Sequence, residues 1–291
     1  MAALSALAAA NVSCTACARP ASERTHVAAT VFPLHDLTRR IAGDRLDVEL
    51  ILPPGLDVHG FEPRPKDVGG LGEADLIFAV GLGLDPWAHE LARSAGAGDA
   101  RVFELGPLMD PILAPPGLIR AEPLIDAHFW LDPVRAQRAV DVLVEALGGL
   151  DPVGGPFYRS RGLELKASLQ GVHEETAQRA RRWTRRRIVT THGSLFYFAS
   201  RYGLEVVAVV EPVPGQEPTA RHLAELIELL RGPEAPALFA EPQLDASLAR
   251  ALAREAGVDV HRIDTMGGTP GVDSYERLLR RMVATMDRAL R

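Results

Sequence analysis

An α/β fold is predicted, with two lobes that each carry a parallel four-stranded sheet flanked by helices. Three observations carry this reading. Short β-branched or apolar runs alternate with amphipathic helical patterns; the alternation happens twice; and a long helical stretch without strand signal separates the two sets. At 291 residues the chain is long enough for two domains of ordinary size. With 47 % hydrophobic and 24 % charged residues it has the composition of a soluble globular protein.

In the first set the strand candidates are "VAATVF" (27–32), "LDVELIL" (46–52), "DLIFAV" (75–80) and "RVFEL" (101–105). Helical patterns such as "LHDLTRRIAG" and "PWAHELARSAG" lie between them, closed by Gly43 and Gly96 where a helix C-cap is expected. The second set runs "RIVTT" (187–191), "LEVVAVV" (204–210), "PALFAE" (236–241) and "VDVHRI" (258–263). Its intervening helices are Ser194–Tyr202, closed by Gly203, then "PTARHLAELIELLRG" and "LDASLARALAREAG". Between the sets, Tyr158, Leu165, Leu169, Val172, Ala180 and Trp183 share one helical face. This predicts one long rigid helix over 152–183 that joins the lobes, with packing to offset the weakening from Gly162 and Gly171. The expected division is 1–24 as a signal-peptide-like or disordered start, 25–151 as the N-terminal lobe, 152–183 as the linking helix and 184–291 as the C-terminal lobe. The Pro-rich, charge-poor stretch 106–127 reads as an irregular loop.

The alanine-rich start resembles the apolar region of a secretory signal, with Ala16-Cys17-Ala18 as an A-x-A cleavage site, although a basic leader is missing. A lipid-attachment cysteine is the competing reading, weakened by Asn11 three places before Cys14. No later apolar run reaches the roughly 18–20 residues that span a membrane. A net charge of −6 gives no footprint for nucleic acid, and "RRWTRRR" (181–187) reads as a solvated face at a helix end.

Of nine histidines, three follow strand or loop elements: His59, His128 and His192. His192 sits directly after a strand, where open α/β sheets place their ligands. Asp264 follows the last strand, and three imidazoles with one carboxylate would form a four-ligand set of the kind Zn²⁺ takes. His35 also follows a strand and is placed, with Glu241, behind the ligands rather than among them. His173 and His222 lie among polar helical neighbours and read as exposed.

The stretch "IAGDRLDVELILPPGLDVHGFEPRPKDVGGLGEADLIFAVGLGLDPW" resembles the first half of the zinc/manganese solute-binding proteins of bacterial ABC importers. "DAHFWLDP", "THGSLFYFASRYGL", "EPQLDASLARALARE" and "IDTMGG" are similar to later signatures of that family, in the same order. The resemblance implies a metal site in the interlobe cleft, with His59, His128, His192 and Asp264 as ligands. It also implies a periplasmic or cell-surface protein, lipid-anchored in some relatives, that passes its ion to a membrane permease, as a monomer and without catalysis. D-V-H stands where the family has D-P-H, and 106–127 lacks the His-rich loop of many zinc-specific members, so one ion per chain is expected. A histidine at 192 favours Zn²⁺ over Mn²⁺, since imidazole suits zinc and carboxylate oxygens suit manganese. The alternatives are a manganese-binding member of the same family and a zinc hydrolase with Glu241 as its base; the latter needs an open coordination position.

Overall fold

A computed structural model of the chain describes residues 25–64, 74–96, 101–115, 118, 125–213 and 216–291. The signal-like stretch 1–24, with both cysteines, lies outside the described residues. The first lobe contains β1 (His26–Ala29), α1 (Phe32–Ala42), β2 (Asp47–Leu50), β3 (Leu76–Ala79), α2 (Trp87–Ser94) and β4 (Val102–Glu104). Its sheet is parallel throughout, in the order β2-β1-β3-β4. Next come α3 (Pro133–Leu150) and α4 (Gly155–Ala180). The second lobe contains β5 (Arg187–Thr190), α5 (Phe196–Tyr202), β6 (Glu205–Val209), α6 (Ala220–Arg231), β7 (Ala237–Ala240), α7 (Ser247–Ala256), β8 (Val260–Arg262) and α8 (Tyr275–Leu290). Its sheet repeats the same plan, β6-β5-β7-β8, again parallel. In each sheet the strand order reverses beside the first strand, and the carboxyl ends there open a crevice.

All eight predicted strands are present and each is shorter than predicted, although β1 begins one residue earlier, at His26. Parallel sheets are covered on both faces, which is why β7 reads "ALFA" and is buried at every position. Gly43, Gly96, Gly203 and Gly257 adopt the positive φ that ends a helix, as their positions predict. In "GLGLD" (81–85), Asp85 accepts hydrogen bonds from Val80 N and Gly81 N, both at 2.8 Å, beside a turn in which Gly81, Leu82 and Gly83 take positive φ.

Two helices were not anticipated from sequence. α3 opens on Asp132, whose carboxylate accepts from Val134 N, with Pro133 at the first helical position. α8 opens on Ser274, which accepts from Arg277 N, and buries Leu278, Leu279, Met282, Val283 and Met286. The linking helix is 26 residues long and begins after a short 3₁₀ turn, Pro152–Gly154, rather than at Pro152. Its predicted apolar face is buried, and Trp183 just beyond it donates to Asp287 at 2.7 Å. α4 packs along α3 and also touches α1 and α8, so elements of both lobes rest on it.

One apolar core runs through both lobes, and a smaller one lies under α6 and α7. Polar pins cross the same boundary. Arg201 of α5 holds Asp132 through two bonds of 2.9 and 2.7 Å. Arg40 of α1 pairs with Glu276 of α8 at 2.6 Å, and Tyr275 N donates to Asp36 at 3.0 Å. Trp130 Nε1 donates to Thr265 O at 2.9 Å, and Tyr275 Oη donates to Trp130 O. The lobes are therefore fixed by a shared interior as well as by their linker.

The two glycines of α4 differ in what surrounds them. A Cβ at Gly162 would lie 2.6 Å from Val144 Cγ2, whereas one at Gly171 would meet nothing within 4 Å. Gly162→Ala should destabilise the protein, because overpacking costs about 1–3 kcal/mol and Val144 has little rotamer freedom in a helix. Gly171→Ala should stabilise it by about 0.5–1 kcal/mol through helix propensity alone. Denaturant midpoints measure both, and shifts of the same sign would contradict this packing.

Candidate metal centre

The crevice of the second sheet opens between β5 and β7. His192 stands two residues past the end of β5, and Glu241 follows β7 directly. From the first lobe, His59 arrives on the long connection after β2, and His128 on the segment that enters the turn Phe129–Leu131. These three histidines offer ring nitrogens that all lie within 4.8 Å of one another. Among the described residues they are the one group of three or more histidine, cysteine or acidic side chains so arranged. His192 Nε2 lies 3.3 Å from His128 Nε2, and the His59 ring meets His192 edge-on at 5.2 Å. His128 and His192 are buried, and His59 sits at the mouth with one side open to solvent.

The cavity between them measures about 10 Å³, near the lower limit for holding one water. Asp57, Val58, Glu241, Gln243, Leu244, Thr265 and Met266 complete its wall. A larger cleft of about 660 Å³, lined by Glu211, Leu223, Asp245 and Leu248, lies apart and gathers no imidazoles. Chemistry singles out the small cavity.

Each buried histidine is backed by a carboxylate. His128 Nδ1 lies 2.7 Å from Asp126 Oδ1, and His192 Nδ1 lies 2.6 Å from Glu241 Oε1. The hydrogen bond at His128 Nδ1 fixes that ring, and the close ion pair at His192 Nδ1 likewise turns Nε2 toward the other histidines. Glu241 is held in turn by Ser194 Oγ at 3.0 Å and by the Thr265 hydroxyl. Tyr197 Oη donates to Asp126 O at 3.1 Å, and Trp130 packs 5.1 Å from the His128 ring, which anchors the segment carrying Asp126 and His128.

Burial and mutual repulsion push His59 and His128 down to about 3, so both are neutral at ordinary pH. For His192 burial works in the same direction, but the adjacent Glu241 carboxylate more than offsets it and holds the pKa above the usual histidine value. Glu241 shows the reverse: burial opposes its charge, and His192 still keeps it below the usual range. Burial raises Asp126 to about 8.

Asp264 is not in the three-histidine group. Its Oδ1 accepts from Gln243 Nε2 at 2.7 Å and from Met266 N and Gly267 N at 3.0 Å each. His35 is also apart, with Nε2 3.3 Å from Val48 O and its ring near Phe32. His173 and His222 are half-buried rather than exposed, because Tyr202 Oη and Val209 O offer them hydrogen-bond partners at 3.2 and 2.8 Å. Sequence reasoning missed Asp57, Asp126 and Gln243. A signal for the first two was present: D-x-H occurs three times, once entering β8 at Asp259, and at Asp57 and Asp126 the aspartate Oδ1 accepts the histidine's backbone N–H, at 3.0 and 2.8 Å.

A family profile described as ZnuA, zinc-uptake complex component A, periplasmic, matches residues 27–289. The chain belongs to that family. It is 27 % identical over 254 residues to the high-affinity zinc uptake system protein ZnuA of Bacillus subtilis, covering 84 % of this chain and 80 % of the relative. It is 28 % identical to the manganese-binding lipoprotein MntA of Halalkalibacterium halodurans, covering 78 % of this chain and 74 % of the relative. Among solved structures, the solute-binding protein FpvC of Pseudomonas aeruginosa in complex with Mn²⁺ superposes with a TM-score of 0.83 at 25 % identity, over 92 % of this chain and 99 % of that one. The fold of two lobes joined by a long helix is that of these relatives. Among the described residues no helix is long and apolar enough to cross a membrane.

The charge states set how a cation would compete with protons. Ligating imidazoles must be neutral. His59 and His128 already are, so the proton load lies on His192 and Asp126, whose pKa values are raised. Zinc affinity should therefore climb with pH up to about 8 and level off above it. A plateau reached already near pH 6 in chelator-competition titrations would contradict this. Glu241→Gln should weaken zinc binding roughly 10- to 100-fold. It should also move the rise to lower pH, because His192 loses the charge that keeps it protonated.

Proposed function

We propose that the protein is an extracytoplasmic zinc carrier, which captures one Zn²⁺ per chain between His59, His128, His192 and Asp264 and hands it to the permease of an ABC importer. The observation that carries the reading is the trio of imidazoles, the two buried ones backed by carboxylates, at the meeting of both lobes. Three imidazole nitrogens around a cavity of single-ion size suit a d¹⁰ cation that accepts tetrahedral N/O coordination. Asp264 adds the negative charge that partly neutralises the ion. Its free oxygen reaches the shell through a local adjustment of the loop at 264–268, since the lobes share one core. The chain acts as a monomer, exported by its N-terminal segment and either free in the periplasm or held at the cell surface by lipid.

Manganese is the second reading, supported by the manganese-binding relatives and opposed by the nitrogen-rich trio. A zinc hydrolase would need a free base beside an open coordination position. Glu241 is instead engaged by His192, Ser194 and Thr265.

Equilibrium competition should favour Zn²⁺ over Mn²⁺, with one tightly held ion per chain in native mass spectrometry. Two tight ions would refute the single site. His59→Ala and His192→Ala should each abolish tight binding and the rise in melting temperature that excess zinc gives the unaltered protein by mass action. Asp264→Asn keeps an oxygen for the two backbone N–H groups and so preserves the turn. It should still lose more than the roughly 10- to 100-fold typical of an outer-shell partner. A zinc-induced melting shift equal to that of the unaltered protein would remove Asp264 from the ligand set.

A further inference from the structure

Gln243 lines the metal cavity and contacts Asp264, yet nothing in the proposed ligand set uses it. A carboxylate only accepts hydrogen bonds and a side-chain amide donates only through nitrogen, so Nε2 is the atom on Asp264 Oδ1 and Oε1 is turned away. That Oε1 is buried and meets no donor among the described residues. A bare buried acceptor is costly. Beside a cavity that takes a cation, its dipole gains from the ion's charge.

The effect on Asp264 is more specific. Oδ1 takes three donors, Gln243 Nε2 at 2.7 Å and the N–H groups of Met266 and Gly267 at 3.0 Å. Three bonds to one oxygen fix the rotation of the carboxylate and leave it a single oxygen for an ion. Zn²⁺ in a tetrahedral shell asks for one. Mn²⁺ favours more oxygen donors and a higher coordination number, which a carboxylate chelating through both oxygens would supply.

We propose that Gln243 is a positioning residue that sets the preference for zinc over manganese, by tying Asp264 Oδ1 and holding this carboxylate to one-oxygen ligation. The proposal rests on the reading of Asp264 and the three histidines as the site.

The test uses the full chain with Gln243→Met and Gln243→Glu, both of which remove the donor. Zn²⁺ and Mn²⁺ affinities are measured by chelator competition, and Co²⁺ is used as a spectroscopic stand-in whose visible absorption is intense only when tetrahedral. Both variants should bind Zn²⁺ about tenfold more weakly while Mn²⁺ binding holds or strengthens, so the Zn/Mn ratio falls by at least that factor. The Co²⁺ band should lose intensity. If either variant fails to match the metal-free melting temperature of the unaltered protein, Gln243→Asn, which shortens the reach of the amide, carries the same expectation. Equal weakening for both metals with an unchanged Co²⁺ spectrum would reduce Gln243 to a structural role and overturn the proposal. So would affinities equal to those of the unaltered protein in variants of Gln243, while His192→Ala loses zinc. Zinc binding unaffected by His192→Ala would overturn the site itself.

Discussion

Everything at the centre of this molecule follows from one constrained arrangement: three imidazoles held with ring nitrogens within 4.8 Å of each other, two of them buried and the third at the mouth. His192 Nε2 and His128 Nε2 lie within hydrogen-bond distance, 3.3 Å apart, and the proton between them must leave before both can take an ion. Three rings so close do not assemble by themselves. They are imposed by the groups behind them. Asp126 holds His128 and Glu241 holds His192; Asp126 is anchored in turn by Tyr197 on its main-chain carbonyl, and the Glu241 carboxylate by Ser194 and Thr265. The His128 and His192 rings are held in place, and burial denies His59 and His128 a proton. A site of this kind is prepared for a cation before the cation arrives.

Such preparation needs a frame that does not yield. His59 and His128 come from one lobe and His192 and Glu241 from the other, so the spacing of the rings depends on the spacing of the lobes. The Asp132–Arg201 pair, the Arg40–Glu276 pair and the Trp130–Tyr275–Thr265 contacts hold that spacing from below the cavity. The cavity wall around Asp57, Gln243 and Met266 comes from loops rather than from the sheets.

Much of this was legible in the sequence. The strands were found because fully buried parallel strands are short apolar runs, and the helix ends were found because Gly43, Gly203 and Gly257 mark them. Strand-end logic placed His192 and Glu241 correctly at the crevice, since a residue after a parallel strand has few other places to go. The helices α3 and α8 went unread. Their caps, Asp132 and Ser274, are ordinary residues whose role appears only when the backbone turns, and α8 draws its burial from packing against α4. Asp126 was missed for a related reason. Its burial and its bond to His128 come from the fold around Tyr197, and only the repeated D-x-H spacing hinted at it. Asp264 shows the limit of position as evidence, because a strand-end carboxylate can spend one oxygen on its own turn and have only the other to offer.

The single apolar core that runs through both lobes has a consequence for how the protein comes apart. Two α/β halves of this size would ordinarily be expected to melt as two units joined by a linker. Here Trp130, Tyr275, Tyr158 and Leu169 are buried in an interior to which both halves contribute, so neither half retains a closed surface when the other unravels. Separate expression of either half would expose this shared interior to water. Cooperativity thus extends over nearly the whole described chain, and damage far from the histidines reaches them through loss of the entire fold rather than through a path of contacts.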